Sequence, residues 1–247
     1  MPGPDAPRAA RRSLSPAPEQ RGGQRLRALL RVAEPALGAA SERFWNHPRL
    51  AEMYPAFLLR VFTAARASIR LMEVALRRAR ALAPRDAVSA RLAAYYRRHI
   101  AEERDHPGWL LADLEALGVE RARVASAPAS PAVAVLVGAH HVWVEDGHPV
   151  AALGHFAVLE GHPPSARELE GVRARTGLPR AGFRFLFAHA EIDPHHAADL
   201  FALLDELPLN PAQSSLVGLS ALHTVGALGA VFAELIALDP AAAGEGR

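Results

Sequence analysis

HAEIDPHH, residues 189–196, and HIAEERDH, residues 99–106, are the stretches that decide the fold. They read His189-x-x-x-Asp193-x-x-His196 and His99-x-x-x-Glu103-x-x-His106. Each residue of an α-helix turns by ~100°, so positions i, i+4 and i+7 fall within a ~60° arc. Each triplet therefore puts two imidazoles and a carboxylate on one stripe. The flanking residues are apolar: Ile100, Leu110, Leu111 and Leu114 around one stripe, Phe185, Leu186, Leu200, Leu203 and Leu204 around the other. Such a stripe facing a core is costly unless its members pair with one another or bind a metal.

Helical patterning extends outward in both directions. Residues 1–23 are rich in Pro, Gly, Arg and Ser without a hydrophobic period, and read as a disordered lead-in. From residue 24 the apolar residues Leu26, Leu29, Leu30 and Ala33 recur at helical spacing. A second helix is expected over 48–82, kinked at Pro55, and a third over 86–117, kinked at Pro107–Gly108 just after His106. A fourth spans 131–160, disturbed at Gly147–Pro149. Ser165 and Glu168 form a capping box for a short helix to Thr176. Helices over 180–207, with a kink at Pro194, and over 211–238 complete the set, and the tail 240–247 reads as frayed. Alternating strand patterns and fixed-period repeats are missing. The expectation is an all-α, single-domain seven-helix bundle over residues 24–239.

Composition limits the chemistry. The chain has 247 residues, 50% of them hydrophobic, which is enough for one sizeable core. It has no Cys, so disulfides, Fe–S clusters and Cys-ligated zinc are excluded. Every basic side chain is Arg, so Schiff-base chemistry on Lys is excluded too. A formal net charge of +2 does not argue for nucleic acid. No uninterrupted apolar run of ~18 residues suggests a membrane span, and no apolar leader core opens the chain. The expected location is cytoplasmic.

Imidazole with carboxylate, leaving open positions, suits redox-active iron, with zinc the nearest competitor. Five or six candidate donors favour two metals over one. A further carboxylate able to bridge them is then expected, and Glu160 fits, at the end of an apolar helix before a Gly-His-Pro-Pro stop. The ferritin-like di-iron bundle is a contrast, because it draws more carboxylates from its helices. Here the extra donor is an imidazole, His189.

These residues carry a resemblance. His99-x-x-Glu102-Glu103-x-x-His106 runs into Leu111-x-x-Leu114-x-x-Leu117-Gly118. His148-Pro-Val-Ala-x-Leu-Gly154 leads to Val158-Leu-Glu-Gly161 and Pro163-Pro-Ser165, and His189-x-x-x-Asp193-x-x-His196 follows. From about Phe44 to Ile236 the chain resembles the haem-oxygenase-like di-iron oxidases and oxygenases, known as iron-containing redox enzymes. The resemblance implies two Fe(II) ions and O2 as co-substrate. Glu103, His106 and His189 would hold one iron, and Glu160, Asp193 and His196 would hold or bridge to the other. Glu103 and Glu160 are its catalytic carboxylates. Glu102, about 100° round the helix, is the weaker neighbour. His99 is a further ligand, a partner behind the ligands or a substrate contact, and His141 and His155 are expected to line the substrate pocket. The implied substrate is a small amino- or carboxylate-bearing metabolite, undergoing N-oxygenation, C–C cleavage or oxidative decarboxylation. An external electron donor and a homodimer are compatible with this reading. Two rivals stand beside it: a metal-free ligand-binding relative of the thiaminase or cofactorless-oxidase type, and a non-catalytic metal-binding interaction protein.

Overall fold

Prolines and polar caps decide where the rods of this chain begin and stop. In the computed structural model, which describes residues 21–161 and 163–239, ten α-helices follow one another. They are α1 (Gly22–Trp45), α2 (Leu50–Leu82), α3 (Ala87–Glu103), α4 (His106–Ala116) and α5 (Arg121–Ser126). Then come α6 (Pro131–Val142), α7 (Ala151–Leu159), α8 (Ala166–Thr176), α9 (Arg184–Glu206) and α10 (Pro211–Ile236). The expected lead-in over 1–20 and tail over 240–247 lie outside the described residues. Gly22 and Gly23 are already helical, so the lead-in boundary at residue 23 moves two residues towards the N-terminus.

The seven expected rods become ten helices for identifiable reasons. The third splits before His106, not after it. Pro107 would press its ring on the carbonyl four residues earlier, that of Glu103, and α3 ends there. The chain restarts with Pro107 in the first turn of α4, where its missing N–H leaves no gap. The fourth rod divides at a π-helical turn, Trp143–Gly147, followed by the extended His148. The short α5 was not expected. By contrast, α2 and α9 run through Pro55 and Pro194 as continuous helices. The Ser165–Glu168 capping box of α8 is present as read, and Gly177 closes that helix at φ +66°, a conformation costly for residues with a Cβ.

A contiguous apolar core joins the rods, with Phe44, Leu58, Leu71, Leu92, Leu110, Leu153 and Phe183 among its most buried members. Burying such a side chain contributes roughly 1.5–3 kcal/mol. Helix α10 packs along α1, α6 and α7. It is long and apolar enough to cross a membrane by length and composition, with mean hydropathy 1.8 in its most apolar window. In this bundle 44% of that window is buried, and α10 approaches α7 closely: a Cβ on Gly154 of α7 would fall 2.2 Å from the Val217 carbonyl oxygen of α10.

Candidate metal centre

Three helices bring the titratable side chains together. α3 supplies His99, Glu102 and Glu103 near its C-terminus, α4 supplies His106 at its start, and α9 supplies His189, Asp193 and His196. Glu160 joins them as the residue that ends α7. Asp113 of α4 sets how α4 and α9 meet. Its fully buried Oδ2 accepts the Phe185 N–H at 2.9 Å, capping the N-terminal turn of the helix that carries three of these groups. Burial pushes the Asp113 carboxyl up to about 6, against the pull of two backbone N–H groups.

Within the cluster the donors form two groups. In one, Glu103, His106 and His189 each have a ligand atom within 4.8 Å of the others. His106 Nδ1 lies 2.8 Å from Glu103 Oε2, and the His106 and His189 rings are 4.8 Å apart. His189 Nδ1 donates to the Phe185 carbonyl at 2.9 Å, so Nε2 is left as a bare acceptor. Burial lowers the His189 pKa to about 4, keeping the ring neutral. Burial raises the Glu103 carboxyl, but the His106 hydrogen bond and the neighbouring imidazoles outweigh it and the net direction is down.

The second group is His99, Glu102 and His196. Glu102 Oε2 lies 3.6 Å from His196 Nε2 and 3.7 Å from His99 Nδ1. His99 Nε2 meets Glu160 Oε1 at 2.9 Å, and Tyr95 stacks on the His99 ring at 5.3 Å. Burial opposes protonation of His99, but Glu160 and the other carboxylates raise its pKa overall. Asp193 is buried beside this group, and burial, Glu160 and Glu103 push its carboxyl up to about 8.

The structure thus brings all six expected ligand residues into one cluster and adds two. His99 is a member of the cluster itself. Glu102, weighed as the weaker neighbour on helix phase, reaches both His99 and His196 because α3 stops one residue later and leaves its side chain half-exposed at the helix end. Helix phase could not reveal that. Asp113 was missed altogether. Its only signal was a carboxylate in the apolar run Leu110–Leu114.

A cavity of about 490 Å³ opens beside the cluster. His99, Glu103, Glu160, His189 and Asp193 line one end. Most of the remaining wall is apolar, from residues such as Trp45, Ile69, Met72, Phe156 and Phe232, with Glu34, Ser41, Arg60 and Ser68 as polar exceptions. Two expectations about this pocket are corrected. His141 is half-buried on α6 and is not part of the wall. His155 is fully buried behind the wall, between Ser68 and Thr224. The π turn puts α7 out of the phase that a continuous helix would have given it, so a spacing of seven residues along the sequence did not translate into a shared face. His148 instead ties its loop to Asp86 and Ser89, His195 is exposed, and His223 binds the Val135 carbonyl at 2.9 Å. His162 lies outside the described residues.

An all-helical bundle with a buried histidine–carboxylate cluster at the end of an apolar cavity defines the class of this protein: a haem-oxygenase-like fold. Residues 63–230 match the family described as iron-containing redox enzyme, and the chain belongs to that family. A domain of unknown function with a heme oxygenase-like fold from Shewanella denitrificans OS217 is similar in structure. Its TM-score is 0.68 at 16% identity, over 87% of this chain and 89% of that one. A TenA homologue from Pseudomonas syringae pv. tomato DC3000 is similar at TM-score 0.63 and 14% identity, over 85% of this chain and 92% of that one. No curated protein matches the chain.

The residues present fit iron. Imidazole nitrogen and carboxylate oxygen are its ordinary donors. Among the described residues, Glu160 Oε2 and His196 Nδ1 are buried without a hydrogen-bond partner, and both are atoms that a cation accepts as donors. Burial, with Glu160 and Glu103 nearby, makes Asp193 costly to ionise, and a cation bound at the cluster reverses that. The Nδ1–H bond from His189 to a backbone carbonyl is the kind of outer contact that orients a ligating imidazole.

Proposed function

We propose that this chain is an O2-activating, non-haem di-iron oxidase or oxygenase. Its substrate is a small amino- or carboxylate-bearing metabolite, and its outcome is N-oxygenation, C–C cleavage or oxidative decarboxylation. The observation that carries the reading is the convergence of two donor groups, Glu103–His106–His189 and His99–Glu102–His196, with Glu160 and Asp193 buried near them and His99, Glu103, Glu160, His189 and Asp193 on the cavity wall. Glu103, His106 and His189 hold one iron in this reading; Glu160, Asp193 and His196 hold or bridge to the other. Two Fe(II) ions held there would supply two of the four electrons that take O2 to water, with the substrate and an external reductant supplying the other two and the two that return the irons to Fe(II).

The protein's own part is positioning, water exclusion and proton placement. The apolar wall receives the body of the substrate and leaves its polar group at the cluster, where the reacting atoms meet in a dry site. His99 holds a proton against Glu160 Oε1, and that 2.9 Å contact is a proton store facing the cavity. Glu103 and Glu160, which both border the cavity, are the carboxylates assigned to catalysis.

Metal analysis after growth with iron, followed by mixing the Fe(II) form with O2, tests the reading. About two irons per chain and a transient visible absorption are expected, with iron content falling sharply in His189→Ala and Asp193→Ala. Absence of iron, or uptake indifferent to both substitutions, overturns it.

A further inference from the structure

Ser68 lies on α2, buried, with its side chain on the cavity wall. Behind it runs a chain of buried polar groups. Ser68 Oγ is 3.1 Å from His155 Nε2, His155 Nδ1 is 3.3 Å from Thr224 Oγ1, and Thr224 Oγ1 is 3.1 Å from His140 Nε2. Ser220 Oγ closes the far end on His140 Nδ1 at 3.1 Å.

The protons in this chain can be counted. Thr224 has one hydroxyl proton, and its shortest contact is 2.9 Å to the Ser220 carbonyl, which can only accept. With that proton placed, His155 must donate its Nδ1–H to Thr224. The same follows if Thr224 instead donates to His140 Nε2; donation to His155 Nδ1 alone would reverse it, and at 3.3 Å that is the longest of the three contacts. His155 is fully buried with no carboxylate on either ring nitrogen, so its ring is neutral and Nε2 is bare. The Ser68 proton is therefore committed to His155. Toward the cavity Ser68 presents lone pairs alone, beside the apolar Ala64, Ala65, Ile69 and Met72; away from the cluster the other polar side chains on the wall are Glu34, Ser41 and Arg60.

We propose that Ser68 selects the ligand of this cavity by accepting a hydrogen bond from an N–H or O–H on an otherwise apolar molecule. This rests on the reading that the cavity receives the substrate, and it narrows that substrate to one with a donor along its apolar body. An ether or hydrocarbon of the same shape leaves the Ser68 lone pairs buried and unanswered.

The test uses the full-length, metal-free chain, so that it is independent of iron loading. Octan-1-ol and 1-methoxyheptane have the same number of heavy atoms, but only the first is a donor. Their dissociation constants are read by tryptophan fluorescence, since Trp45 lines the cavity. The ratio of ether to alcohol constants is expected to fall by about fivefold or more in Ser68→Ala. It is expected to recover in Ser68→Thr. Thr224→Val keeps the Ser68 side chain and removes the acceptor that fixes the His155 ring, so the ratio falls there too. A ratio unchanged in either Ser68→Ala or Thr224→Val overturns the proposal, as does a wild-type cavity that binds neither probe. Failure to take up iron leaves the ratio where it was, which separates this proposal from the di-iron reading.

Discussion

His140 and His155 show what a buried imidazole does when no carboxylate faces it. Burial, reinforced by its neighbouring imidazoles, lowers the His140 pKa to about 3 and holds His155 well below its ordinary value. In the unfolded chain both titrate near 6.5. Between roughly pH 6.5 and 3 the unfolded state binds more protons, so folding stability falls as the pH falls through that window. Each histidine contributes at most about 1.4 kcal/mol per pH unit. Urea midpoints measured from pH 7 to 4.5 are expected to drop steeply, and the drop should flatten in His155→Gln. An unaltered slope in that variant would show that His155 titrates normally in the fold. His99, by contrast, faces Glu160 and its pKa moves the other way. One residue type thus serves as neutral scaffold on α6 and α7 and as a charged partner on α3.

The helices show which of these placements could be read from the sequence. The stripe His189–Asp193–His196 could be, because α9 is continuous from Arg184 to Glu206 and helix phase held across it. The stripe His99–Glu103–His106 is a stripe only in part. His106 begins a new helix, and it reaches Glu103 through a 2.8 Å contact across the break. The fourth rod was recognised, but the roles of His141 and His155 were not, because the π turn changes the phase of everything after it. Asp113 was invisible because its partner, the Phe185 N–H, is 72 residues away. It makes a prediction about α4 and α9 together. Asp113→Ala leaves a buried helix-terminal N–H unanswered and is expected to cost about 1–3 kcal/mol of stability. It should also weaken iron uptake, since α9 carries His189, Asp193 and His196. Asp113→Asn keeps an acceptor and should retain most of both. Thermal melts and iron titrations of the two variants check this; an Asp113→Ala protein as stable as wild type would remove the cap from the account.

Across the whole bundle, the cluster is a liability in one state and a brace in another. Glu103, Glu160 and Asp193 converge from α3, α7 and α9, and among the described residues Glu160 Oε2 and His196 Nδ1 have no hydrogen-bond partner. Without a cation, the apolar core holds those helices together while Asp193, buried near Glu160 and Glu103, has its carboxyl pushed up to about 8. A cation bound at the cluster would cross-link helices that contribute its ligands. A metal that binds only the folded chain stabilises it by about 2.7 kcal/mol at a hundredfold excess over its dissociation constant. For a domain of this size that corresponds to a rise of roughly 5–11 °C in melting temperature. Anaerobic Fe(II) should therefore raise the melting temperature of chelator-treated protein by that order. The increment should shrink in Asp193→Ala and His189→Ala, while the metal-free melting temperature of Asp193→Ala should not fall, because the substitution removes a buried carboxyl that is costly to ionise. A metal-dependent increment that survives both substitutions would mean that iron binds elsewhere on the chain. A metal-free Asp193→Ala protein much less stable than wild type would mean that Asp193 is held in the bundle by packing, with its cost of ionisation a minor effect.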